Sequence, residues 1–129
     1  MAARRQRVVI VGGGQAGGRL AQALARVPRL AVTLVAAEAR PPYERPPLSK
    51  GVLLGTRGFD SCLIWPPGDP AWKKVARRTG AAAATIDRNA RTIRLADGTV
   101  LPYDRLVLAT GSSPRTLTVA ELRRMGLAN

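Results

Sequence analysis

The sequence predicts an α/β fold in three layers: a parallel sheet, helices, and a small antiparallel hairpin or meander. Short apolar runs at 7–11, 31–35 and 105–109 are typical of strands buried on both faces, as in parallel sheets. A glycine-rich turn and a helical stretch separate the first two runs, which indicates a strand–helix–strand unit. The pair Asp97-Gly98 between two further apolar segments is a strong hairpin signal. We expect the strands at 7–11 and 105–109 to be central.

The elements between these strands follow from local signals. Leu20, Ala21, Leu24 and Ala25 share one helical face, so we expect a helix from Arg19 to Val27 that Pro28 ends. The stretch from 38 to 47 holds four prolines and is expected to be an ordered loop. A short helix is expected over 48–54.

The second half of the chain contains shorter elements. Asp69-Pro70 is typical of a helix N-cap and first residue, which predicts a helix over 71–79 ended by Gly80. A weak strand is expected over 81–86, because alanine is a poor strand former. The segments 92–95 and 100–101 flank the hairpin turn. In the tail, Thr118 and Glu121 form a capping pair before a short amphipathic turn.

Composition excludes several classes of site. The chain has 129 residues, about one domain, and 46% of them are hydrophobic, which is enough for a core. It has no histidine, which excludes Ser-His-Asp and Cys-His nucleophilic sites and any imidazole metal ligand. The single cysteine, Cys62, excludes an internal disulfide or a CxxC pair. We expect that thiol to be exposed or half-buried, in a reducing compartment.

The charge has two explanations. The formal net charge is +13, and Lys50, Lys73 and Lys74 are the only lysines among 21 basic residues. An excess of arginine over lysine is typical of a biased genomic base composition as well as of a binding surface. The arginines are dispersed and no aromatic residues alternate with them, which argues against nucleic-acid binding. A basic module that binds nucleic acid or an acidic protein remains one hypothesis for the function.

Nothing in the sequence predicts a membrane or targeting segment. The apolar run from Val8 to Val11, after the N-terminal arginines, is far shorter than a signal-peptide core or a membrane span. We therefore expect a cytoplasmic protein that does not insert into membranes.

The motif G-x-G-x-x-G places glycine at 12, 14 and 17, directly after the first strand. Gly12 permits the tight turn, Gly14 lets a pyrophosphate approach the backbone, and Gly17 allows close helix–strand packing. Glu38 follows Gly17 by 21 residues, near the usual spacing of the carboxylate that accepts hydrogen bonds from ribose. These features together predict dinucleotide binding.

The glycines do not distinguish FAD from NAD, but the next segment does. Residues 42–50 (Pro-Tyr-Glu-Arg-Pro-Pro-Leu-Ser-Lys) follow Glu38 and present Arg45 and Lys50 along the same cleft. These cations are suited to a pyrophosphate or to the electron-rich side of a reduced flavin. Taken alone, the segment would be interpreted first as a solvated proline loop.

Together with Val9-Ile-Val-Gly-Gly-Gly-Gln-Ala-Gly17, this segment resembles the FAD-dependent ferredoxin reductases. They belong to the pyridine nucleotide-disulfide oxidoreductase superfamily and resemble the reductase components of cytochrome P450 and ring-hydroxylating dioxygenase systems. Asp97-Gly98, Tyr103-Asp104, the strand 106–111 and Pro114-Arg115 also match. The resemblance covers residues 6 to 115 and implies a Rossmann-like FAD-binding fold.

The resemblance also implies an activity. NADH or NADPH would be the co-substrate, FAD would accept its hydride, and a [2Fe–2S] ferredoxin would receive single electrons. No catalytic side chain and no metal are implied, because the flavin carries the chemistry.

The family's binding residues carry over to this sequence by position. Gly12, Gly14, Ala16 and Gly17 would hold the pyrophosphate, and Glu38 would hold the adenosine ribose.

Further along the chain, Arg45 and Lys50 would line the pyrophosphate and flavin region, with Lys50 nearest the flavin's reactive edge. Ala83 corresponds to the strand position whose backbone faces the adenine. The loop beside the cofactor would consist of Ala109, Thr110 and Gly111.

The chain also departs from the family pattern. A second G-x-G-x-x-G is absent from these residues, as are the later FAD segment and the C-terminal interface domain. We therefore expect residues 1–115 to be the N-terminal part of an incomplete FAD/NAD(P)-binding domain, and 116–129 a divergent tail. The chain is then either the FAD-binding portion of a reductase or a truncated, non-catalytic flavin-binding fragment. A missing C-terminal half or self-association would supply what it lacks.

Overall fold

A computed structural model describes residues 3–127, which contain seven strands and three α-helices, with a long connection over 37–70. The elements are β1 Gln6–Val11, α1 Gln15–Leu24, β2 Leu30–Ala36, α2 Ala71–Lys74, β3 Val75–Thr79, β4 Ala83–Asp87, β5 Thr92–Leu95, β6 Val100–Pro102, β7 Arg105–Leu108 and α3 Val119–Arg124. Single 3-10 turns occupy Pro46–Ser49 and Phe59–Cys62.

The strands form two sheets. Four of them pair in parallel in the order β3-β2-β1-β7, while β4, β5 and β6 form an antiparallel meander. This arrangement confirms the predicted three-layer α/β fold. The expectation that the strand at 105–109 is central is wrong for the described residues, because β7 is an edge strand there and its Leu108 is 60% exposed.

The parallel sheet is buried on both faces because its strands alternate apolar residues between two cores. Val8 and Ile10 of β1 join one core and Val9 and Val11 the other, as the period of two requires. The first core packs α1 and the segment 64–75 on one face. The second packs the meander on the other face, through Ile93, Leu95 and Tyr103.

The predicted helix over 71–79 is wrong. Only Ala71–Lys74 is helical, and Val75–Thr79 forms strand β3 beside β2, from Val32↔Val75 to Ala36↔Thr79. Ala, Lys and Arg favour helix locally, but the backbone groups of β2 on that side need hydrogen-bond partners. Burial of Val75 in the first core, at 4% exposed, adds to the preference for the strand.

Two other helix predictions need correction. Helix α1 begins at Gln15, not Arg19, and ends at Leu24 instead of Val27, so it includes two glycines that apolar periodicity could not reveal. The expected helix over 48–54 is a 3-10 turn followed by a closed loop. In that loop the Gly51 carbonyl accepts hydrogen bonds from the backbone N–H groups of Thr56 and Arg57.

The expectation of an accessible Cys62 is also wrong. Its side chain is buried, at 1% exposed, because the segment that holds it is drawn against the loop after β2. Glu44 N–H donates to the Cys62 carbonyl at 2.8 Å, and Tyr43 and Leu63 form an antiparallel bridge. These long-range backbone bonds have no signal in the local sequence.

The hairpin and the tail cap are confirmed. Gly98 has a φ of +88°, and the Asp97 carboxylate accepts from the Thr99 N–H at 2.9 Å in the turn between β5 and β6. Thr118 and Glu121 form a reciprocal capping box at the start of α3. The division of the chain at residue 115 stays a prediction.

One carboxylate joins the start of β1 to the start of β7. Asp104 accepts from the Arg7 N–H at 2.7 Å and from the guanidinium groups of Arg7 and Arg4. These bonds, with the Arg7 guanidinium contributing most, hold the pKa of Asp104 well below its usual range. The charge is thus kept in the folded protein at any pH near neutrality.

A second carboxylate attaches the segment before α2 to helix α1. The Asp69 side chain is 3% exposed and accepts from the Ala71 N–H at 2.8 Å, from Gln22 at 2.8 Å and from Arg26 at 3.1 Å. Burial alone would raise the pKa of Asp69, but these hydrogen bonds outweigh it and lower the pKa below its ordinary value.

We expect Asp69→Asn to reduce the free energy of unfolding by about 1–3 kcal/mol at about pH 6, because the buried charged acceptor is lost. The carboxylate's contribution is present above the unfolded-state pKa of roughly 3.9 and is lost as pH falls through the lower folded-state pKa. Denaturant unfolding should therefore show the two proteins converging in acid. The exposed Asp60→Asn is the control, and a pH-independent difference at Asp69 would contradict the assignment.

Candidate functional site

A pocket of about 600 Å³ lies at the carboxyl ends of β1, β2 and β7, beside the N-terminus of α1. Parallel sheets commonly bind ligands at this edge. The lining residues are Val11, Gly12, Gly13, Gly14, Gln15, Ala16, Val35, Ala36, Ala37, Glu38, Arg40, Tyr43, Arg45, Ala82, Ala83, Ala109, Thr110, Gly111 and Ser112.

Two glycines allow the backbone to pack closely beneath the pocket. Gly12 has a φ of +121°, and a Cβ there would overlap the Ala109 carbonyl of the neighbouring strand end. A Cβ on Gly17 would overlap the Gly12 carbonyl oxygen. Both positions therefore require glycine for folding itself, whatever the pocket binds.

Gly14 is different, because a Cβ there would meet no protein atom within 4 Å. It precedes α1 with an extended backbone and no side-chain cap. The first N–H groups of the helix therefore face the pocket without an acceptor from a capping side chain, and the helix dipole adds a partial positive charge. This arrangement suits an anionic group such as a phosphate.

The carboxylate of Glu38, just beyond β2, forms the polar end of the pocket. Its two oxygens have different partners: the Tyr43 hydroxyl donates to Oε2 at 2.7 Å and Arg45 donates to Oε1 at 2.6 Å. The hydrogen bond to Glu38 is the main reason that the pKa of Tyr43 is raised. Tyr43 therefore stays a hydrogen-bond donor well above neutral pH.

Alanines line another wall of the pocket. The Gly80 N–H donates to the Glu38 carbonyl at 2.9 Å and the Ala81 N–H to the Ala36 carbonyl at 3.1 Å, which hold the chain alongside the end of β2. Ala82 and Ala83, the first residue of β4, then line the pocket. Their small side chains leave room for a flat apolar group.

The structure brings most of the predicted binding residues together. Those that line the pocket are Gly12, Gly14, Ala16, Glu38, Arg45, Ala83, Ala109, Thr110 and Gly111. Gly17 is buried beneath the pocket. Lys50 is exposed and lies outside the lining residues, so its place beside a flavin stays a prediction.

Sequence reasoning missed several lining residues, among them Gln15, Arg40, Tyr43 and Ser112. Gln15 could have been found, since it follows Gly14 in the phosphate-binding turn. Tyr43 stands in the recognised segment, but only the fold shows that its hydroxyl reaches Glu38. Arg40 and Ser112 follow strand ends and carry no distinctive signal.

A protein-family model described as "Pyridine nucleotide-disulphide oxidoreductase" matches residues 6–128. The chain belongs to this family. The resemblance to ferredoxin reductases is confirmed by similar proteins that carry this name.

The ferredoxin–NAD(+) reductase component of an anthranilate 1,2-dioxygenase system from Burkholderia cepacia is 45% identical over 112 residues, which cover 84% of this chain and 27% of that protein. A crystal structure of a covalent putidaredoxin reductase–putidaredoxin complex superposes with a TM-score of 0.78 at 35% identity, covering 92% of this chain and 28% of the matched chain. A ferredoxin reductase from Rhodopseudomonas palustris superposes with a TM-score of 0.74 at 33% identity, covering 89% of this chain and 28% of the matched chain. The chain thus spans less than a third of the length of these oxidoreductases.

The helices in the described part of the chain are all too short or too polar to cross a lipid bilayer.

We expect Gly17→Ala to destabilise the protein by about 3 kcal/mol, because the new methyl group would overlap backbone that cannot move aside. Thermal unfolding measures the effect. Gly58→Ala is the matched control, since Gly58 has an ordinary negative φ and open space around its Cβ position. Equal melting temperatures for the two variants would contradict the close helix–strand packing described here.

Proposed function

We propose that the pocket binds FAD, with the pyrophosphate at the N-terminus of α1 and the adenosine ribose at Glu38. The observation that carries this proposal is the open Gly14 position at an uncapped helix N-terminus, with a carboxylate across the same pocket. The helix end favours negative charge, whereas the carboxylate accepts hydrogen bonds from hydroxyl groups. Phosphate and ribose in one ligand match that pair of sites.

The residues of this chain bind and orient the cofactor. When bound, FAD supplies the capacity to accept a hydride and release single electrons, so the chain needs no acid, base or nucleophile of its own. Ala82 and Ala83 give the adenine an apolar wall, and Arg45 places a cation beside Glu38.

For a protein that contains this chain and has the full length of its relatives, we propose electron transfer from NAD(P)H through FAD to a [2Fe–2S] ferredoxin. The proposal is supported by family membership and by relatives whose names state ferredoxin–NAD(+) reductase. These 129 residues contain one G-x-G-x-x-G, at 12–17, and the second candidate is therefore a flavin-binding chain that does not accept hydride from NAD(P)H. A ferredoxin partner and a cytoplasmic location stay predictions.

The visible absorption spectrum of the purified protein tests both candidates. Flavin bands that bleach when NADH is added without oxygen would support the reductase. Bands that persist would support a flavin-binding chain without hydride transfer. A colourless protein that also fails to bind added FAD would refute the proposal.

We expect Gly14→Ala to fold normally but to weaken FAD binding at least about tenfold, because its methyl group would occupy the space that a phosphate needs. Its extended backbone is open to any L-residue, and no protein atom lies near the added carbon. Fluorescence titration with FAD measures the affinity, and thermal unfolding shows that the fold is kept. Gly58→Ala, outside the pocket, should bind like wild type. Unchanged affinity in Gly14→Ala would exclude the α1 N-terminus as the phosphate site.

A further inference from the structure

The orientation of Glu38 depends on very few contacts. Its side chain is 46% exposed, so packing does not fix its rotamer. In the described structure, its carboxylate is held by the Tyr43 hydroxyl on one oxygen and by Arg45 on the other. A carboxylate that must accept hydrogen bonds from ribose hydroxyls needs a defined orientation before the ligand arrives.

These two partners differ in rigidity. The Arg45 side chain is 65% exposed and has a long flexible stem, so its ion pair with Glu38 is of the weak surface type. Tyr43 has only two side-chain torsions, and its ring packs against Phe59 with centroids 5.1 Å apart. Of the two, Tyr43 is therefore the more rigid donor.

The backbone of Tyr43 is fixed as well. It forms an antiparallel bridge with Leu63, and the residues on either side complete it: Glu44 N–H donates to the Cys62 carbonyl, and Ile64 N–H donates to the Pro42 carbonyl. The bridging segment is anchored in the first core through the buried Ile64 and Trp65. The position of the Tyr43 hydroxyl is thus set by the core and not by the loop alone.

We propose that Tyr43 is a positioning residue that orients the Glu38 carboxylate to accept hydrogen bonds from the adenosine ribose of the bound dinucleotide. This inference rests on the proposed function, since it needs a ligand whose ribose lies at Glu38. By fixing the carboxylate, Tyr43 increases the preference of the site for a ribose with a 2′-hydroxyl over a 2′-deoxyribose. Because the hydrogen bond to Glu38 raises the pKa of Tyr43, the hydroxyl keeps its proton at neutral pH and can donate.

The test compares ADP with 2′-deoxy-ADP as competitors that displace FAD from the purified protein. Wild type should prefer ADP by about tenfold, the value of one hydrogen bond to a charged acceptor. Tyr43→Phe keeps the ring and its contact with Phe59 but loses the hydroxyl, and should reduce the preference to about twofold. Glu38→Ala, which lacks the carboxylate, should show no preference for ADP over 2′-deoxy-ADP.

Tyr103→Phe is the matched control, because Tyr103 is a buried tyrosine of the second core outside the pocket lining. It should keep the wild-type preference. Thermal unfolding of each variant separates folding from binding.

The outcomes distinguish the inference from the proposed function. A reduced preference in Tyr43→Phe, with the melting temperature unchanged, supports the inference. If Tyr43→Phe weakens both competitors equally, Tyr43 only supports the pocket's shape and the inference is overturned. A wild-type protein that binds FAD but does not distinguish the competitors also overturns it, and the proposed function stands. A wild-type protein that binds no FAD overturns both.

Discussion

The contact of backbone with backbone at Gly12 is the constraint on which the rest of the structure depends. There the chain leaves β1 against the end of β7, at the Ala109 carbonyl, and turns directly into α1, whose Gly17 packs on the Gly12 carbonyl. Any side chain at either glycine would separate helix, strand and neighbouring strand. The same close approach aims the first turn of α1 at the pocket, so one local geometry satisfies folding and also suits an anionic group.

The polar end of the pocket is built less directly. Glu38 lies at the end of β2, but its partners come from a loop whose shape is set by contacts elsewhere. That loop is paired with the segment that carries Trp65, which is fully buried and donates to the Gly18 carbonyl of α1 at 2.8 Å. Asp69 then attaches the following turn to the same helix. Helix α1 thus organises both the glycine-turn end of the pocket and, through these bonds, the carboxylate end.

This difference explains what could be predicted from the sequence. The strands other than β3, the glycine turn and Glu38 follow from local periodicity and spacing, because local backbone geometry determines them. The strand β3 and the burial of Cys62 could not be predicted, since each depends on partners far away in the sequence. The contact between Tyr43 and Glu38 lies between these cases: the residues are only five apart, yet their approach depends on the bridge at Leu63. The pocket's backbone could therefore be predicted, but its side-chain network could not.

The two edges of the parallel sheet differ in their chemistry. On β3, Arg77 and Arg78 are exposed, and the Arg77 guanidinium lies 4.9 Å from the centre of the Trp72 ring. Charge on an edge strand discourages pairing with another strand. The β7 edge carries no comparable charge beyond Arg105, and its Leu108 is 60% exposed. An apolar parallel strand is stable when it is covered on both sides. Of the two edges, β7 is therefore the one at which the sheet can be extended, and it borders the pocket through Ala109.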